Sequence, residues 1–588
     1  MYIAVVQFNP KVGALKENSE RALKMIDELA TLAYPPDLVV FPAFALCGAE
    51  LGGLVTHNAF AAEALDVAQH FMKQAALPTL IGTVIPRPAM AGTRFVCEEE
   101  VLLAMDGKGS ALGYLDMNTT AEMQEYVESV QITLSGCTIS VVLDDVINPD
   151  IRYGDSDVII SMIARPYQET NGLLTASNQI DSLRTDAVAN NAWVVVASLA
   201  GGEDSFVYEG ASLVIAPDGS VHESAPPFKE AVITANLTKQ SNTTETTENS
   251  PNREAEARKL DKKRVLPLLP YEANWKALCV GVKDYVQKNG FTDVVVGLSG
   301  GIDSAVVATL AVDALGAKQV HGVLMPSPYS SDESISDSMA LADNLGIKTI
   351  AFPISKLFEE FLLQSEADFE TKGSALAQQN LQARLRTVAL MHLSNTHGWL
   401  LLNTGNKSEA AVGYSTLYGD TAGALAPLGS FYKTDVYGMA HWRNKSSLAI
   451  PQPILDKAPS AELAPNQKDT DNLPPYDMLD QILRLHIEEN LGVDEILEFF
   501  GNYPIKTDID TETILAVLNM VRRAEYKRRQ EPMIFQFDGI NLSEHRAWPV
   551  TNGFEDHSRD IVAPIEMYKY LGLMYREADP GNFNFLDN

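Results

Sequence analysis

Up to residue 238 the chain alternates short apolar runs with amphipathic stretches. IAVVQF (3–8), DLVVFP (37–42), TLIGTVI (79–85), TISVVLDD (138–145), DVIISMI (157–163) and AWVVVASL (192–199) predict strands. NSERALKMIDELATLA (18–33) and TASNQIDSLRTDAVANN (175–191) carry helical spacing. Such alternation predicts a layered α/β domain over residues 1–238. The pattern then stops. KQSNTTETTENSPNREAEARK (239–259) is almost free of apolar residues and cannot bury enough surface to offset its ordering entropy. We read 239–264 as a linker. Beyond it, DVVVGL (293–298), VHGVLMP (320–326), KTIAFPI (348–354) and WLLLNTG (399–405) predict further strands, and SAVVATLAVDALG (304–316) predicts a helix. This second α/β unit, 265–555, has the alternation of a doubly wound parallel sheet, which binds ligands at its strand C-terminal ends. Residues 556–588 carry no usable motif, and IEMYKYLGLMYRE within them has the spacing of an amphipathic helix.

Charge and composition narrow the classes. With 45 Lys and Arg against 77 Asp and Glu, the formal charge is −32, which repels nucleic-acid backbones and anionic membranes at long range. Cys47, Cys97, Cys137 and Cys279 form no CxxC pair, and the ten histidines show no HExxH-like spacing. No apolar run approaches the ~20 residues needed to cross a bilayer. The start, MYIAVVQFNP, reads as a strand and not as a signal peptide. A soluble cytoplasmic protein is expected.

The sharpest local signal is VVVGLSGGIDSAVVATL. A buried strand ends at Leu298, and Ser299, Gly300, Gly301, Ile302, Asp303 and Ser304 lead into a helix. The glycines let backbone approach a ligand, and exposed N–H groups at a helix start favour a phosphate. Ser299 and Ser304 add hydroxyl donors. Asp303 suits a Mg²⁺ ion bridging phosphate oxygens. The spacing fits neither GxGxxG nor GxxxxGK[ST].

SGGIDS resembles the pyrophosphate loop of the N-type ATP pyrophosphatases. MPSPYSSDESISDSMALADNLGI (325–347), NLQARLR (380–386), LLNTGNKSEAAVGYSTLYGDTAGALAPLG (401–429), YKTDVY (432–437), KAPSAELAPNQKD (457–469) and EYKRRQEP (525–532) follow in order. Together they resemble the synthetase half of the glutamine-dependent NAD⁺ synthetase family. The resemblance implies an adenine nucleotide alpha hydrolase-like fold and amidation of deamido-NAD by ammonia through an adenylate, with ATP and Mg²⁺. Asp303 and Glu409 are then the Mg²⁺ carboxylates. Thr404 and Lys433 contact ATP phosphates, and Lys457 with Ser460 close on the pyrophosphate. Asn380 and Arg384 hold nucleotide, Asp420 recognises substrate, and Lys527 and Arg528 lie near the dinucleotide phosphates. Two departures, Gln379 and Ala458, remove no group that the chemistry requires. A homo-oligomer is also implied.

IAVVQFNPKVGALKENSERAL, DLVVFPAFALCG and AWVVVASLAGGEDSFVYEGASLVIAPDG resemble the nitrilase-like glutaminase, an α/β sandwich found ahead of this synthetase. A working member needs a Cys nucleophile, a Glu general base and a Lys for the tetrahedral intermediate. Here the Glu slot holds Ala43 and the Cys slot holds Leu143, while Asp116 stands near the Lys slot. Cys47 and Cys137 sit in apolar, strand-like surroundings and read as buried thiols. The expected protein is a pseudo-glutaminase joined to a competent synthetase that uses free ammonia or ammonia delivered by a separate protein. The alternatives are a glutaminase with an unrecognised nucleophile and a nucleotide-binding scaffold subunit.

Overall fold

The computed structural model describes residues 1–88, 95–104, 112–115, 130–142, 153, 155–168, 177–238, 270–502, 509–537, 540, 542 and 548–551. Asp116, Leu143, the 239–264 segment and the 556–588 extension lie outside the described residues.

The first unit is two mixed six-stranded sheets packed face to face. One has β1 (Tyr2–Gln7), β2 (Leu38–Val40), β3 (Thr79–Pro88), β4 (Phe95–Ala104), β5 (Leu112–Leu115) and β14 (Ala231–Asn236), in the order β14-β1-β2-β3-β4-β5. The other has β6 (Val130–Leu134), β7 (Cys137–Val142), β8 (Val158–Ile163), β9 (Trp193–Ser198), β12 (Leu213–Ile215) and β13 (Val221–Ser224), in the order β13-β12-β9-β8-β7-β6. β10 (Ala200–Glu203) and β11 (Phe206–Glu209) form a separate hairpin.

Successive strand residues point to opposite faces. Ile3, Val5 and Val40 therefore meet Val141, Ile160 and Val195 between the sheets. Ala4, Val6 and Val39 face outward onto helices α1 (Leu15–Ala30) and α2 (Asn58–Gln74). Helix α3 (Ser177–Asn190) covers the other sheet through Ile180, Leu183 and Ala187. Strands buried on both faces are apolar without interruption, which is why the central ones were readable as runs. α1 starts three residues before the expected Asn18, whose buried side chain bonds Lys11 and Leu46 backbone and so fixes the entry loop.

The second unit carries a four-stranded parallel sheet of β15 (Val294–Leu298), β16 (Val320–Leu324), β17 (Lys348–Ala351) and β18 (Leu400–Leu401), ordered β17-β16-β15-β18. The order reverses between β15 and β18, and the crevice beyond the carboxyl ends at such a switch point is where open α/β sheets bind ligands. Helices α4 (Pro270–Lys288), α5 (Ile302–Leu315), α6 (Asp332–Leu345), α7 (Ser355–Phe369), α8 (Ala375–His397), α9 (Lys407–Val412) and α10 (Lys433–Asn444) belong to this unit. Helices α11 (Tyr476–Ile487), α12 (Val493–Asn502) and α13 (Thr511–Arg523) pack with α9 around Leu479, Ile496 and Val517. Two-residue strands β19 (Leu425–Ala426) and β20 (Met533–Ile534) pair in parallel.

The two units share a core. Tyr167, Val207 and Phe228 of the first lie in one apolar cluster with Leu278, Phe535 and Phe537 of the second. Polar bonds seal the seam: Asp284 Oδ2 accepts from Asn9 Nδ2 (2.8 Å) and Gly202 N (2.7 Å). Lys288 Nζ donates to Asn9 Oδ1, Pro10 O and Gly202 O. Among the described residues no helix is long and apolar enough to cross a membrane.

Candidate active site

The segment between β15 and α5 turns on Gly300, whose φ is +78°. A Cβ there would lie 2.6 Å from Ser334 O, so glycine is required for both conformation and space. The turn presents the start of α5 to the switch-point crevice. Ser299 Oγ and Ser304 Oγ are 3.0 Å apart, and Gly301 N donates to Ser299 Oγ (3.2 Å).

Asp303 follows in the first turn of α5. Its Oδ1 accepts from Asn406 Nδ2 (2.9 Å). Asn406 also caps α9, accepting from Glu409 N (3.1 Å). One amide therefore fixes the relative positions of Asp303 and the helix that carries Glu409.

Lys433, at the start of α10, ties the two carboxylates together. Its Nζ donates to Asp303 Oδ2 (2.5 Å) and Glu409 Oε1 (3.0 Å), and the side chain is 3% exposed. Burial alone would lower its pKa, but the two carboxylates outweigh burial and hold it well above its ordinary range. Burial pushes the Glu409 carboxyl up; Lys433 opposes that shift and Asp303 adds to it. Asp480 orients this corner, accepting from Ser408 Oγ (2.5 Å) and Thr434 N (2.9 Å).

A cavity of about 310 Å³ opens over this group. Of the residues expected from sequence, Ser299, Gly301, Asp303, Ser304, Thr404, Glu409, Asp420, Lys433, Lys457 and Ser460 line it. Gly300, Asn380, Arg384, Lys527 and Arg528 are not among the lining residues. Three of them brace the loop leading to Asp420. Asn380 Oδ1 accepts from Thr416 Oγ1 (2.8 Å), and Thr416 N donates to Asp420 Oδ1 (2.5 Å). Arg384 Nε donates to Leu417 O, and Lys527 Nζ to Gly413 O and Ser415 O. Arg528 is 2% exposed and donates to Ala411 O, Val521 O and Glu525 Oε2, all protein groups. Asp420 opens onto the cavity; desolvation by the walls raises its pKa against the Thr416 N–H and Lys527.

Lys457 Nζ donates to Glu462 Oε1 (2.9 Å) and also bonds Ser334 Oγ. Ser460 Oγ donates to Gln467 O (2.6 Å).

Four charged lining residues were not singled out from sequence: Arg386, Glu462, Asp469 and Glu531. Arg386 was discoverable. Two positions apart on a helix means nearly opposite faces, so Arg384 and Arg386 cannot both face one cavity. Asp469 is 4% exposed, accepts from Tyr476 OH (3.0 Å), and keeps Oδ1 buried without a hydrogen-bond partner. Glu531 Oε2 is likewise buried and unpaired, and burial pushes its carboxyl up to about 7. Hydroxyls, backbone N–H groups and cations beside paired carboxylates suit a polyphosphate with its metal.

In the first unit Ala43 is 2% exposed and pressed against β3, where a Cβ on Gly82 would lie 2.5 Å from its Cα. Cys47 and Cys137 are buried. Glu203, 3% exposed, was also not singled out; its Oε2 accepts from Ala49 N (2.8 Å) and Glu50 N (3.2 Å).

The chain is similar over most of its length to known proteins. Residues 274–531 match the NAD synthase family. The chain is 34% identical over 583 residues to the glutamine-dependent NAD(+) synthetase of Thermotoga maritima, covering 94% of this chain and 99% of the relative. The enzyme of that description from Aquifex aeolicus is 34% identical over 581 residues, with coverages of 94% and 99%. A solved glutamine-dependent NAD+ synthetase from Acinetobacter baumannii, in complex with adenosine diphosphate, superposes with a TM-score of 0.63 at 26% identity, covering 95% of this chain and 99% of that one. A Cytophaga hutchinsonii synthetase shares the fold, with a TM-score of 0.75 at 17% identity and coverages of 94% and 98%.

Proposed function

The chain belongs to the glutamine-dependent NAD(+) synthetase family and is an NAD(+) synthetase, an amide-forming ligase; we propose that it works with ammonia its own first unit does not release. ATP and deamido-NAD are the substrates the family implies. A pyridine carboxylate is a poor acyl donor. Its oxygen attacks the α-phosphorus of ATP and pyrophosphate leaves. Ammonia then forms the C–N bond at the acyl carbon, and the C–O bond to AMP breaks. Negative charge grows on phosphate oxygens in the first step, so fixed donors and cations carry the catalysis. Ser299, Gly301, Ser304 and Thr404 are the proposed donors and Lys433 the proposed cation on the phosphates. Lys457 and Ser460 meet the leaving pyrophosphate. Asp420 orients deamido-NAD, with Asn380, Arg384 and Lys527 holding its loop. Arg528, enclosed by protein groups, supports that region from beneath.

The donor set fits Mg²⁺. Asp303 and Glu409 offer hard carboxylate oxygens to a single ammonium, and the unpaired Asp469 Oδ1 lies in the same cavity, so the walls carry surplus negative charge. Asp303 and Glu409 would hold the ion, which neutralises developing phosphate charge when bound.

The observation that carries the ammonia reading is Ala43. At the position expected for the general base stands a buried methyl group that cannot accept a proton. Leu143, at the Cys slot, and Asp116, near the Lys slot, supply neither a thiol nor an ammonium. The test compares nitrogen donors with purified full-length protein. Ammonium supports NAD(+) formation, while glutamine gives no NAD(+) and no glutamate. Comparable turnover on glutamine at low ammonium, without another protein, would overturn the reading.

We further propose a homo-oligomer. Phe361 (54% exposed) and Phe369 (75%) on α7, with Leu376 (65%) and Val388 (63%) on α8, put large apolar side chains on two neighbouring helices. Light scattering is expected to give a mass of at least two chains, and a monomer at assay concentration would refute this.

A further inference from the structure

Lys457 and Ser460 are the two groups proposed to meet pyrophosphate, yet in this structure both are engaged within the chain. The partner of Lys457 is informative. Glu462 Oε1 accepts from Lys457 Nζ (2.9 Å), Ser334 Oγ (2.6 Å) and Ser331 Oγ (3.1 Å), while Oε2 faces Ser331 N at 3.5 Å. Ser331 is the N-cap of α6, a 14-residue helix. The carboxylate therefore sits on an ammonium, two hydroxyls and the positive end of a helix. Each of these is a group that a phosphate oxygen would also seek.

The place is equally pointed. Ser334, Lys457, Ser460 and Glu462 all line the catalytic cavity. Ser334 also packs against the phosphate loop, since its carbonyl oxygen is the atom a Gly300 Cβ would strike at 2.6 Å. The chain bends to bring Glu462 there. Its φ is +46°, in the left-handed region that a residue with a long side chain rarely occupies. The three donors outweigh burial and keep its carboxyl below the usual glutamate range, so it is an anion at neutral pH.

We propose that Glu462 is a positioning residue that stands in for a phosphate group. It fills the anion seat formed by Ser331, Ser334 and Lys457 while the cavity is empty, and yields that seat to the pyrophosphate portion of ATP. Its return competes with pyrophosphate and helps expel the product. The inference rests on the reading of Lys457 as a pyrophosphate contact.

Competition predicts a sign that a structural brace does not. Removing a brace loosens the site and weakens ligand binding, whereas removing a competitor tightens it. The experiment measures inhibition by inorganic pyrophosphate and the KM for ATP in the full-length enzyme and in Glu462→Gln, Glu462→Asp and Lys457→Ala. Aspartate keeps the charge but is one carbon too short to fill the seat. Both Glu462 variants are expected to lower the pyrophosphate inhibition constant and the ATP KM by about tenfold, the scale of one lost charge-assisted contact. Weaker or unchanged pyrophosphate binding in both overturns the proposal. So does tightening in Glu462→Gln alone, which would be a charge effect. Lys457→Ala separates the two levels. If it leaves pyrophosphate inhibition unchanged, the reading of Lys457 fails. If it weakens inhibition while the Glu462 variants do not tighten it, only the present proposal fails.

Discussion

Lys433 is a cation held almost entirely out of water by two anions. Desolvating three charges is costly, and the arrangement persists because each charge has a partner at 2.5 or 3.0 Å. Lys433→Met removes the one cation bonded to both and leaves two half-buried carboxylates facing each other across a buried methyl group. We expect a loss of about 3–5 kcal/mol of stability and at least a ~100-fold fall in NAD(+) formation. We also expect melting temperature to rise more with added Mg²⁺ in the variant than in the parent, because a dication is then the counter-ion that remains. Thermal melts with and without Mg²⁺ check this, and equal increments would refute it. Gly300→Ala tests the phosphate loop by sterics alone. Its positive φ and the 2.6 Å approach to Ser334 O predict a loss of about 1–3 kcal/mol and weaker ATP binding, read by denaturant melts and ATP titration. At this scale the sequence was informative where chemistry follows a strand end: Asp303, Thr404, Glu409 and Lys433 all reach one cavity. It was silent on Glu462 and Asp469. Their significance comes from what they touch or leave untouched across a cavity, and no local spacing encodes that.

Helix α9 has six residues and would not hold its shape unaided. Its cap, Asn406, also positions Asp303, so a single side chain joins helix stability to site geometry. Asn406→Ala should cost about 1–2 kcal/mol and lower turnover. Asn406→Ser should restore much of the stability, because serine also caps, but not the turnover, because its shorter side chain does not reach Asp303. Melting curves and initial rates of the two variants separate these effects. The elements themselves were legible in proportion to their burial. β8 and β9, apolar on both faces, stand where their runs placed them. β18 is only two residues of the expected 399–405 run, because Leu402 turns to bridge Leu425 and Asn403 N bonds Leu425 O, leading the chain away from the sheet toward the site. The short hairpin β10–β11 is set by the seam between units and not by its own pattern. Its Gly202 N and O are bound by Asp284 and Lys288 of α4.

That seam joins the two units through packed side chains and hydrogen bonds, although composition alone marked a break after residue 238. Apolar side chains from both units fill one core, and the end of α4 is bonded to the backbone of the first unit. Glu203 lies in the first unit beside this seam, with Oε1 buried and unpaired. Burial pushes its carboxyl up to about 7 from an ordinary 4.5; Lys288 and the Ala49 and Glu50 N–H groups oppose the shift, and Glu50 adds to it. The sign follows from linkage. Between about 4.5 and about 7 the folded protein binds a proton at this site that the unfolded chain has released. Stability contributed here is therefore full below the unfolded pKa and is lost as pH rises through the folded one. Above that range the folded state must hold a buried carboxylate with one oxygen unsatisfied. Glu203→Gln cannot ionise, so its stability relative to the parent should increase between pH ~5 and ~8 by on the order of 2 kcal/mol. Urea melts of both proteins across that range give the answer. Parallel pH profiles would show that Glu203 stays ionised in the fold, held so by Lys288 across the seam.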